Sequence, residues 1–151
     1  MMKAIYFDMD GTIADLYGVE GWEKALRAED ATPYKVAKPI GNMSLLARRL
    51  NALQKRGMTI GIISWNAMGA TTAYEEAVKA EKLAWLAKHL PSVRWDEVHI
   101  VAYGITKHEV VANAKEAILF DDNLAIEFDW TENGGAAYHP DDIQNILKRF
   151  F

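Results

Sequence analysis

The first twelve residues, MMKAIYFDMDGT (residues 1–12), hold a short apolar run that ends abruptly in two acidic residues. Ala4–Phe7 has the composition of a buried strand, and Asp8 and Asp10 follow it two residues apart. A core strand has no packing reason to end in two like charges, because they repel each other and resist desolvation. A bound cation, or a carboxylate that acts as a nucleophile, would account for the pair.

The composition is that of an ordinary globular domain, so we expect residues 1–151 to form one domain. Half of the residues are apolar, a quarter are charged, and the formal net charge is −4. This acidic balance argues against a general nucleic-acid binder, and no stable nucleic-acid partner is predicted. The chain has no cysteine, which excludes disulfides and zinc–thiolate sites. Without an apolar run of membrane-spanning length, the expectation is a cytoplasmic protein with no membrane partner; the oligomeric state stays open.

Short apolar runs recur along the chain, as is typical of strands that are covered on both faces. After the first run they occupy residues 58–63, 98–102, Ala117–Phe120 and, more weakly, Ala136–Tyr138.

Helix signals separate these runs. Asn42 is predicted to cap a helix that buries every third or fourth residue, and Pro140 to begin the last helix. Two capping boxes predict two further helices: Thr72 with Glu75, and Thr106 with Glu109.

Strands that alternate with helices predict an α/β protein. We expect a Rossmann-like three-layer α/β/α sandwich around a parallel sheet of about five strands. Only residues 13–40 resist this scheme, because they combine glycines and prolines with a short helical piece near residues 19–28.

Polar residues follow four of the predicted strands, at the edge where parallel sheets bind their ligands. They are Asp8, Asp10 and Thr12; Ser64, Trp65 and Asn66; Lys107; and Asp121, Asp122 and Asn123.

Phosphoryl transfer is the chemistry that needs carboxylates, hydroxyl and amide groups and a lysine at one edge of a sheet. A phosphorylated substrate repels an attacking carboxylate unless cations neutralise its charge, and Mg²⁺ held by carboxylates meets that need. A lysine such as Lys107 adds a second positive group, and hydroxyl or amide groups can hold the phosphate oxygens. Thr12, Ser64 and Asn66 are the candidates for that role. Asp8 is the candidate nucleophile, and Asp10 could move protons to the leaving oxygen and from water.

The run Asp8-Met9-Asp10-Gly11-Thr12, followed in order by Ser64, Lys107 and the pair Asp121-Asp122, resembles the four motifs of the haloacid dehalogenase-like (HAD) superfamily. The resemblance implies that Asp8 is the nucleophile, Asp10 the general acid and base, and Ser64 and Lys107 phosphate contacts. An aspartate at the Asp10 position is the phosphatase-type pattern.

The same resemblance implies a magnesium site. Its ligands would be the Asp8 side chain, the Asp10 backbone carbonyl and Asp121, with Asp122 helping directly or through water.

The spacing of the motifs leaves no room for a full substrate-selecting cap domain, so the protein is expected to be nearly capless. Residues 14–39 would form at most a small helical flap. An open site suits a phosphorylated polynucleotide end or a phosphoprotein, whereas a flap that carries Tyr17 and Trp22 suits a nucleotide or a small phosphoester. Some small nucleotidase-like members of the superfamily resemble this layout.

Three alternatives stand beside the phosphohydrolase. A protein phosphatase of the same fold would share the motifs, and a non-enzymatic binding module could retain them. A phosphorylation switch similar to bacterial receiver domains would use the same residue types in another order. The order here argues against that switch, because Lys107 precedes Asp121 and Asp122.

Overall fold

Five parallel strands form the central sheet of the molecule. The computed structural model describes residues 1–151. The main sheet has the order β5-β4-β1-β6-β7 and is parallel throughout, whereas β2 and β3 pair only with each other, antiparallel. The strands are β1 (Ala4–Phe7), β2 (Ala14–Asp15), β3 (Lys38–Pro39), β4 (Thr59–Trp65), β5 (Glu97–Val101), β6 (Ala117–Phe120) and β7 (Ala136–Tyr138).

Six α-helices connect and cover the strands, and none of them combines the length and the apolar character that a membrane crossing requires. They are α1 (Trp22–Arg27), α2 (Thr32–Val36), α3 (Met43–Lys55), α4 (Thr72–His89), α5 (Leu124–Glu132) and α6 (Ile143–Leu147).

The two faces of the sheet bury alternate residues of each strand. In β1, Ile5 and Phe7 pack into the larger core with apolar residues of α3, α4 and α6. Ala4 and Tyr6 face the opposite side, where Trp130 of α5 covers them. The predicted three-layer α/β/α fold, with its five-stranded parallel sheet, is therefore confirmed.

The predicted helix starts are confirmed in part. Asn42 caps α3 by accepting a hydrogen bond from the Leu45 backbone N–H at 3.0 Å. The cap of α4 is Thr71 rather than Thr72, since the Thr71 hydroxyl accepts from the Tyr74 N–H at 3.2 Å. A 3₁₀ turn at Pro140–Asp142 precedes α6.

The prediction of a helix after Thr106 is wrong. Thr106 makes no side-chain cap, and the connection from β5 to β6 contains only two 3₁₀ turns, Lys107–Glu109 and Ala114–Glu116. The β-branched pair Val110 and Val111 lowers the helix propensity of this stretch. Asn113 is also non-helical, with φ −147° and ψ 74°.

Residues 14–39 leave and rejoin the core through the β2–β3 pair, with α1 and α2 between them. The segment is tied to α4. The Thr71 N–H donates to the Glu29 carboxylate at 3.0 Å, and the Trp85 indole N–H donates to the Ala37 carbonyl at 2.8 Å. The short helix predicted in this segment is present as α1, whereas α2 was not predicted.

Candidate active site

The strand register brings three carboxylates together. Phe7 of β1 pairs with Phe120 of β6, so Asp8 and Asp121 leave the sheet side by side. The Asp8 N–H continues the ladder by donating to the Phe120 carbonyl at 2.9 Å. Carboxylate oxygens of Asp8, Asp121 and Asp122 all lie within 4.8 Å of one another.

The chain turns tightly after β1 and positions Asp10. The Met9 carbonyl accepts hydrogen bonds from the N–H groups of residues 12, 13 and 14, each at 3.0 Å. Gly11 has φ +80°, and a Cβ at this position would overlap the Asp122 carboxylate and the Tyr17 ring. Glycine is therefore required both by the backbone conformation and by the close approach of Asp122.

Lys107 bridges two of the three clustered carboxylates. Its ammonium donates to Asp8 Oδ1 at 3.1 Å and to Asp121 Oδ2 at 2.7 Å. The other oxygen of Asp121 accepts from the Asn123 N–H at 2.9 Å. The Asp121 carboxylate is thus held at both oxygens, whereas the second oxygen of Asp8 has only the Thr12 hydroxyl, at 3.4 Å.

Asp10 faces a different cation. Its Oδ2 accepts from the Lys82 ammonium at 2.9 Å, and its side chain is 18 % exposed. Lys82 belongs to α4 and was not predicted to belong to the site.

Burial and mutual repulsion raise the pKa values of the site carboxylates. Burial, reinforced by the negative charge of Asp8, raises the pKa of Asp121 to about 7 and that of Asp122 to about 6. Burial also raises the pKa of Asp10, against the opposing attraction of Lys82. For Lys107, burial works in the opposite sense, but Asp8 and Asp121 outweigh it and raise its pKa. The site contains four carboxyl groups and two lysines, so it has more acidic groups than its lysines can neutralise.

The cluster of Asp8, Asp121 and Asp122 fits a divalent cation of the magnesium type. It offers only oxygen donors, which hard cations prefer, and burial together with the negative charge of Asp8 raises the pKa of two of its carboxyl groups. The Asp10 side chain is not part of this cluster, and one of its oxygens is held by Lys82. Coordination of the metal by the Asp10 backbone carbonyl stays a prediction.

A cleft of about 260 Å³ opens above these carboxylates. Two aromatic pairs line it. Trp65 and Tyr103 have ring centroids 4.8 Å apart, and Tyr17 and Trp22 have ring centroids 5.1 Å apart. Lys107 is the only cationic residue that lines the cleft, and its Nζ lies 5.7 Å from the centroid of the Trp65 ring.

Most of the predicted site residues converge on the cleft, but two lie beneath it. Asp8, Asp10, Asn66, Lys107, Asp121 and Asp122 line the cleft. Thr12 and Ser64 are fully buried and do not.

Three of the four side chains predicted to bind phosphate, those of Thr12, Ser64 and Asn66, already make contacts within the protein. The Thr12 hydroxyl lies 3.4 Å from Asp8 Oδ2 and 3.3 Å from Asp122 Oδ1. The Ser64 hydroxyl accepts from Lys82 at 2.7 Å. The Asn66 amide donates to the Glu75 carbonyl at 2.9 Å and accepts from the Ala67 N–H at 2.8 Å. Their contact with phosphate stays a prediction.

No family model and no curated protein matches the chain. Several solved structures share its fold. A predicted HAD-like family hydrolase from Porphyromonas gingivalis has a TM-score of 0.54 at 16% identity, over 99% of this chain and 98% of the other. A HAD family enzyme from Bacteroides thetaiotaomicron, in complex with magnesium and inorganic phosphate, has a TM-score of 0.53 at 10% identity. The match covers 92% of this chain and 94% of that enzyme's chain.

A third similar structure is the D,D-heptose 1,7-bisphosphate phosphatase from Burkholderia thailandensis. It has a TM-score of 0.54 at 11% identity, and the match covers 88% of this chain and 74% of the phosphatase chain. Identities this low establish the fold alone. The chain therefore has the HAD-like fold.

Proposed function

We propose that the protein is a magnesium-dependent phosphohydrolase that cleaves a phosphate monoester through an aspartyl-phosphate. The observation that carries the proposal is the separation of two carboxylates that are only two residues apart. Asp8 lies against Lys107 and the other clustered acids, whereas Asp10 is held apart by Lys82. Similarity to the HAD family enzyme that holds magnesium and phosphate, and to the heptose bisphosphate phosphatase, supports the proposal.

The first step is attack by an Asp8 carboxylate oxygen on phosphorus. The bond between phosphorus and the leaving oxygen breaks, and the Asp10 carboxyl gives its proton to that oxygen. The raised pKa of Asp10 favours the protonated form that this step requires. Lys107 stabilises the charge on the transferred group.

The second step returns the enzyme to its starting state. Asp10, now a carboxylate, takes a proton from water as the water oxygen attacks phosphorus. The bond between phosphorus and the Asp8 oxygen breaks, which releases inorganic phosphate and regenerates both carboxyl groups. Magnesium held by Asp8, Asp121 and Asp122 would neutralise the phosphate oxygens in both steps.

A small phosphomonoester with a flat leaving group, such as a nucleotide, is the substrate that the cleft supports best. The pairs Trp65–Tyr103 and Tyr17–Trp22, which line the cleft, offer aromatic surfaces to a ring. A polynucleotide end would bring further phosphates, and the cleft lining offers no cation besides Lys107 to receive them. Residues 14–39 supply Tyr17 and Trp22, so we assign them the role of a small flap. The lack of cysteine is consistent with a reducing compartment such as the cytoplasm.

Release of phosphate from p-nitrophenyl phosphate tests the proposal. We expect turnover that requires Mg²⁺ and is lost in the Asp8→Asn variant, because an amide cannot act as the nucleophile. Asp141→Asn makes the same chemical change at an exposed residue and should leave the rate unchanged. If the wild-type protein with Mg²⁺ turns over neither this substrate nor a panel of nucleotides, sugar phosphates and phosphorylated DNA ends, the protein is a binding module on this fold.

A further inference from the structure

Lys82 is a buried lysine with no hydrogen-bond donor to spare. It lies in the middle of α4, and its side chain is 1 % exposed. A lysine ammonium has three N–H donors, and burial of such a charge is costly unless all of them are satisfied. The three acceptors are Asp10 Oδ2 at 2.9 Å, Ser64 Oγ at 2.7 Å and the Trp65 carbonyl at 2.8 Å. Lys82 therefore cannot also donate to a substrate phosphate without losing one of these bonds.

These bonds join three elements of the site. Asp10 lies in the turn after β1, Ser64 and Trp65 are the last two residues of β4, and Lys82 comes from α4. The ring of Tyr34, from the 14–39 segment, covers the ammonium at 5.3 Å from its centroid. The geometry therefore holds Asp10 against the end of the neighbouring strand.

The contact leaves one oxygen of Asp10 available. Oδ2 is occupied by Lys82, whereas Oδ1 has no hydrogen-bond partner within the protein, and Asp10 lines the cleft. Lys107, by contrast, contacts Asp8 and Asp121 and not Asp10. Lys107 thus lies beside the attacking carboxylate, and Lys82 lies beside the carboxyl group that transfers the proton.

We propose that Lys82 is a positioning residue that fixes the Asp10 carboxyl so that Oδ1 faces the leaving oxygen of the substrate. The inference rests on the proposed phosphohydrolase function and adds to it a residue outside the four motifs. Lys82 does not touch the substrate, so its loss should impair proton transfer to the leaving group rather than binding of the phosphate.

Leaving-group dependence separates this role from a purely structural one. Alkyl phosphates need a proton on the departing oxygen, whereas 2,4-dinitrophenyl phosphate releases a stable phenolate without one. General acid catalysis contributes about 100-fold or more. In Lys82→Met we therefore expect kcat/KM to fall about 10- to 100-fold for an alkyl phosphate and to change less than about threefold for the dinitrophenyl ester. Lys79→Met, an exposed site one turn earlier on α4, should change neither value.

The absence of native cysteine allows a rescue experiment. The Lys82→Cys protein, alkylated in denaturant and refolded, can carry an aminoethyl group that restores an ammonium at the lysine position. A propyl group of similar length serves as its neutral counterpart. We expect the aminoethylated protein to recover the alkyl-phosphate rate and the propylated protein not to recover it. This comparison also serves if Lys82→Met does not fold.

The results distinguish failure of the positioning role from failure of the phosphohydrolase function. Equal losses for both substrates in Lys82→Met, unchanged rates, or equal rates for the two alkylated proteins would overturn the positioning role. A wild-type protein that cleaves neither substrate would instead overturn the phosphohydrolase function on which this inference rests.

Discussion

At the scale of single residues, the site combines four acidic and two basic side chains. Lys107 lies within hydrogen-bond distance of Asp8 and Asp121, and Lys82 within that distance of Asp10. Only Asp122 lacks a lysine partner among them, and the Thr12 hydroxyl lies 3.3 Å from it. The two carboxylates of the first motif therefore have different surroundings although they are two residues apart.

Replacement of Lys107 should destabilise the metal-free protein. Lys107→Met leaves Asp8 and Asp121 next to each other with no cation between them, and breaking a buried ion pair in this way costs about 3 kcal/mol. The measurement is the free energy of unfolding in urea without metal. Lys115→Met, at an exposed lysine in the same β5–β6 connection, should change it by less than about 0.5 kcal/mol. A Lys107→Met protein as stable as the wild type would contradict this account of the buried pairs.

The four acids that the structure brings to this edge can be picked out from the sequence, whereas Lys82 cannot. Asp8, Asp10, Asp121 and Asp122 stand out because charges that end apolar strands need a reason. A lysine within an amphipathic helix does not stand out, since most such lysines face solvent. A signal was nevertheless present: Lys82 occupies the buried stripe of α4, four residues after Val78 and three before Trp85.

At the scale of elements, the strands were the most predictable part. β1, β6 and β7 have the predicted bounds. β1 and β6 are buried on both faces and are therefore apolar throughout, whereas the edge strand β7 is only partly buried. The helix α5 was missed because its apolar residues alternate, as in a strand. Leu124 and Phe128 are exposed, whereas Trp130 is buried. Only its cap reveals it: Asn123 accepts from the Ala125 and Ile126 N–H groups.

The aromatic residues contributed by different elements should govern affinity for the leaving group. Tyr17→Leu, in the 14–39 segment, and Tyr103→Leu, after β5, each remove an aromatic ring from the cleft lining. We expect each to raise KM for a nucleoside monophosphate about 2- to 10-fold, since an aromatic pair contributes about 0.5–1.5 kcal/mol. Inhibition by inorganic phosphate should not change. Phe128→Leu, at an exposed ring outside the cleft, is the control; unchanged KM values in both tyrosine variants would refute the assignment of a ring-bearing leaving group.

At the scale of the whole molecule, the sheet order explains why distant motifs meet. β1 lies at the centre, with β4 on one side and β6 on the other, so residues 8, 64 and 121 reach the same edge. The alternation of strands and helices in the sequence suffices to predict this convergence. It could not predict the distribution of hydrogen bonds at that edge, because side-chain partners depend on the packing of α4 and of the 14–39 segment.

The charge excess of the site should make stability depend on pH in the absence of metal. The pKa values of Asp121 and Asp122 rise from about 4 in the unfolded chain to about 7 and about 6 in the folded protein. Their contribution to stability is therefore present below about pH 4 and is lost as the pH rises to about 7. Thermal unfolding between pH 5 and pH 7.5 should show a larger fall in Tm for the wild type than for Asp121→Asn.

Binding of magnesium should restore the stability that the metal-free protein loses as the pH rises. A ligand at 100 times its Kd adds about 2.7 kcal/mol of stability, which corresponds to a rise in Tm of about 5–10 °C for a protein of this size. We expect this rise at pH 7.5 and a smaller one at pH 5, where protonation of Asp121 and Asp122 competes with the metal. A Tm that does not respond to Mg²⁺ at pH 7.5 would rule out a magnesium site formed by these carboxylates.

Trapping the phosphoryl group on Asp8 tests directly whether the protein acts through an aspartyl-phosphate. In the Asp10→Asn variant no carboxylate activates the hydrolytic water, and 2,4-dinitrophenyl phosphate needs no proton donor, so the aspartyl-phosphate should accumulate. Acid quenching, followed by peptide mass spectrometry, should find one added phosphoryl group on the N-terminal peptide at Asp8, and none when Mg²⁺ is withheld. A phosphoryl group on another residue, or rapid release of phosphate with no covalent species at any time point, would contradict the account.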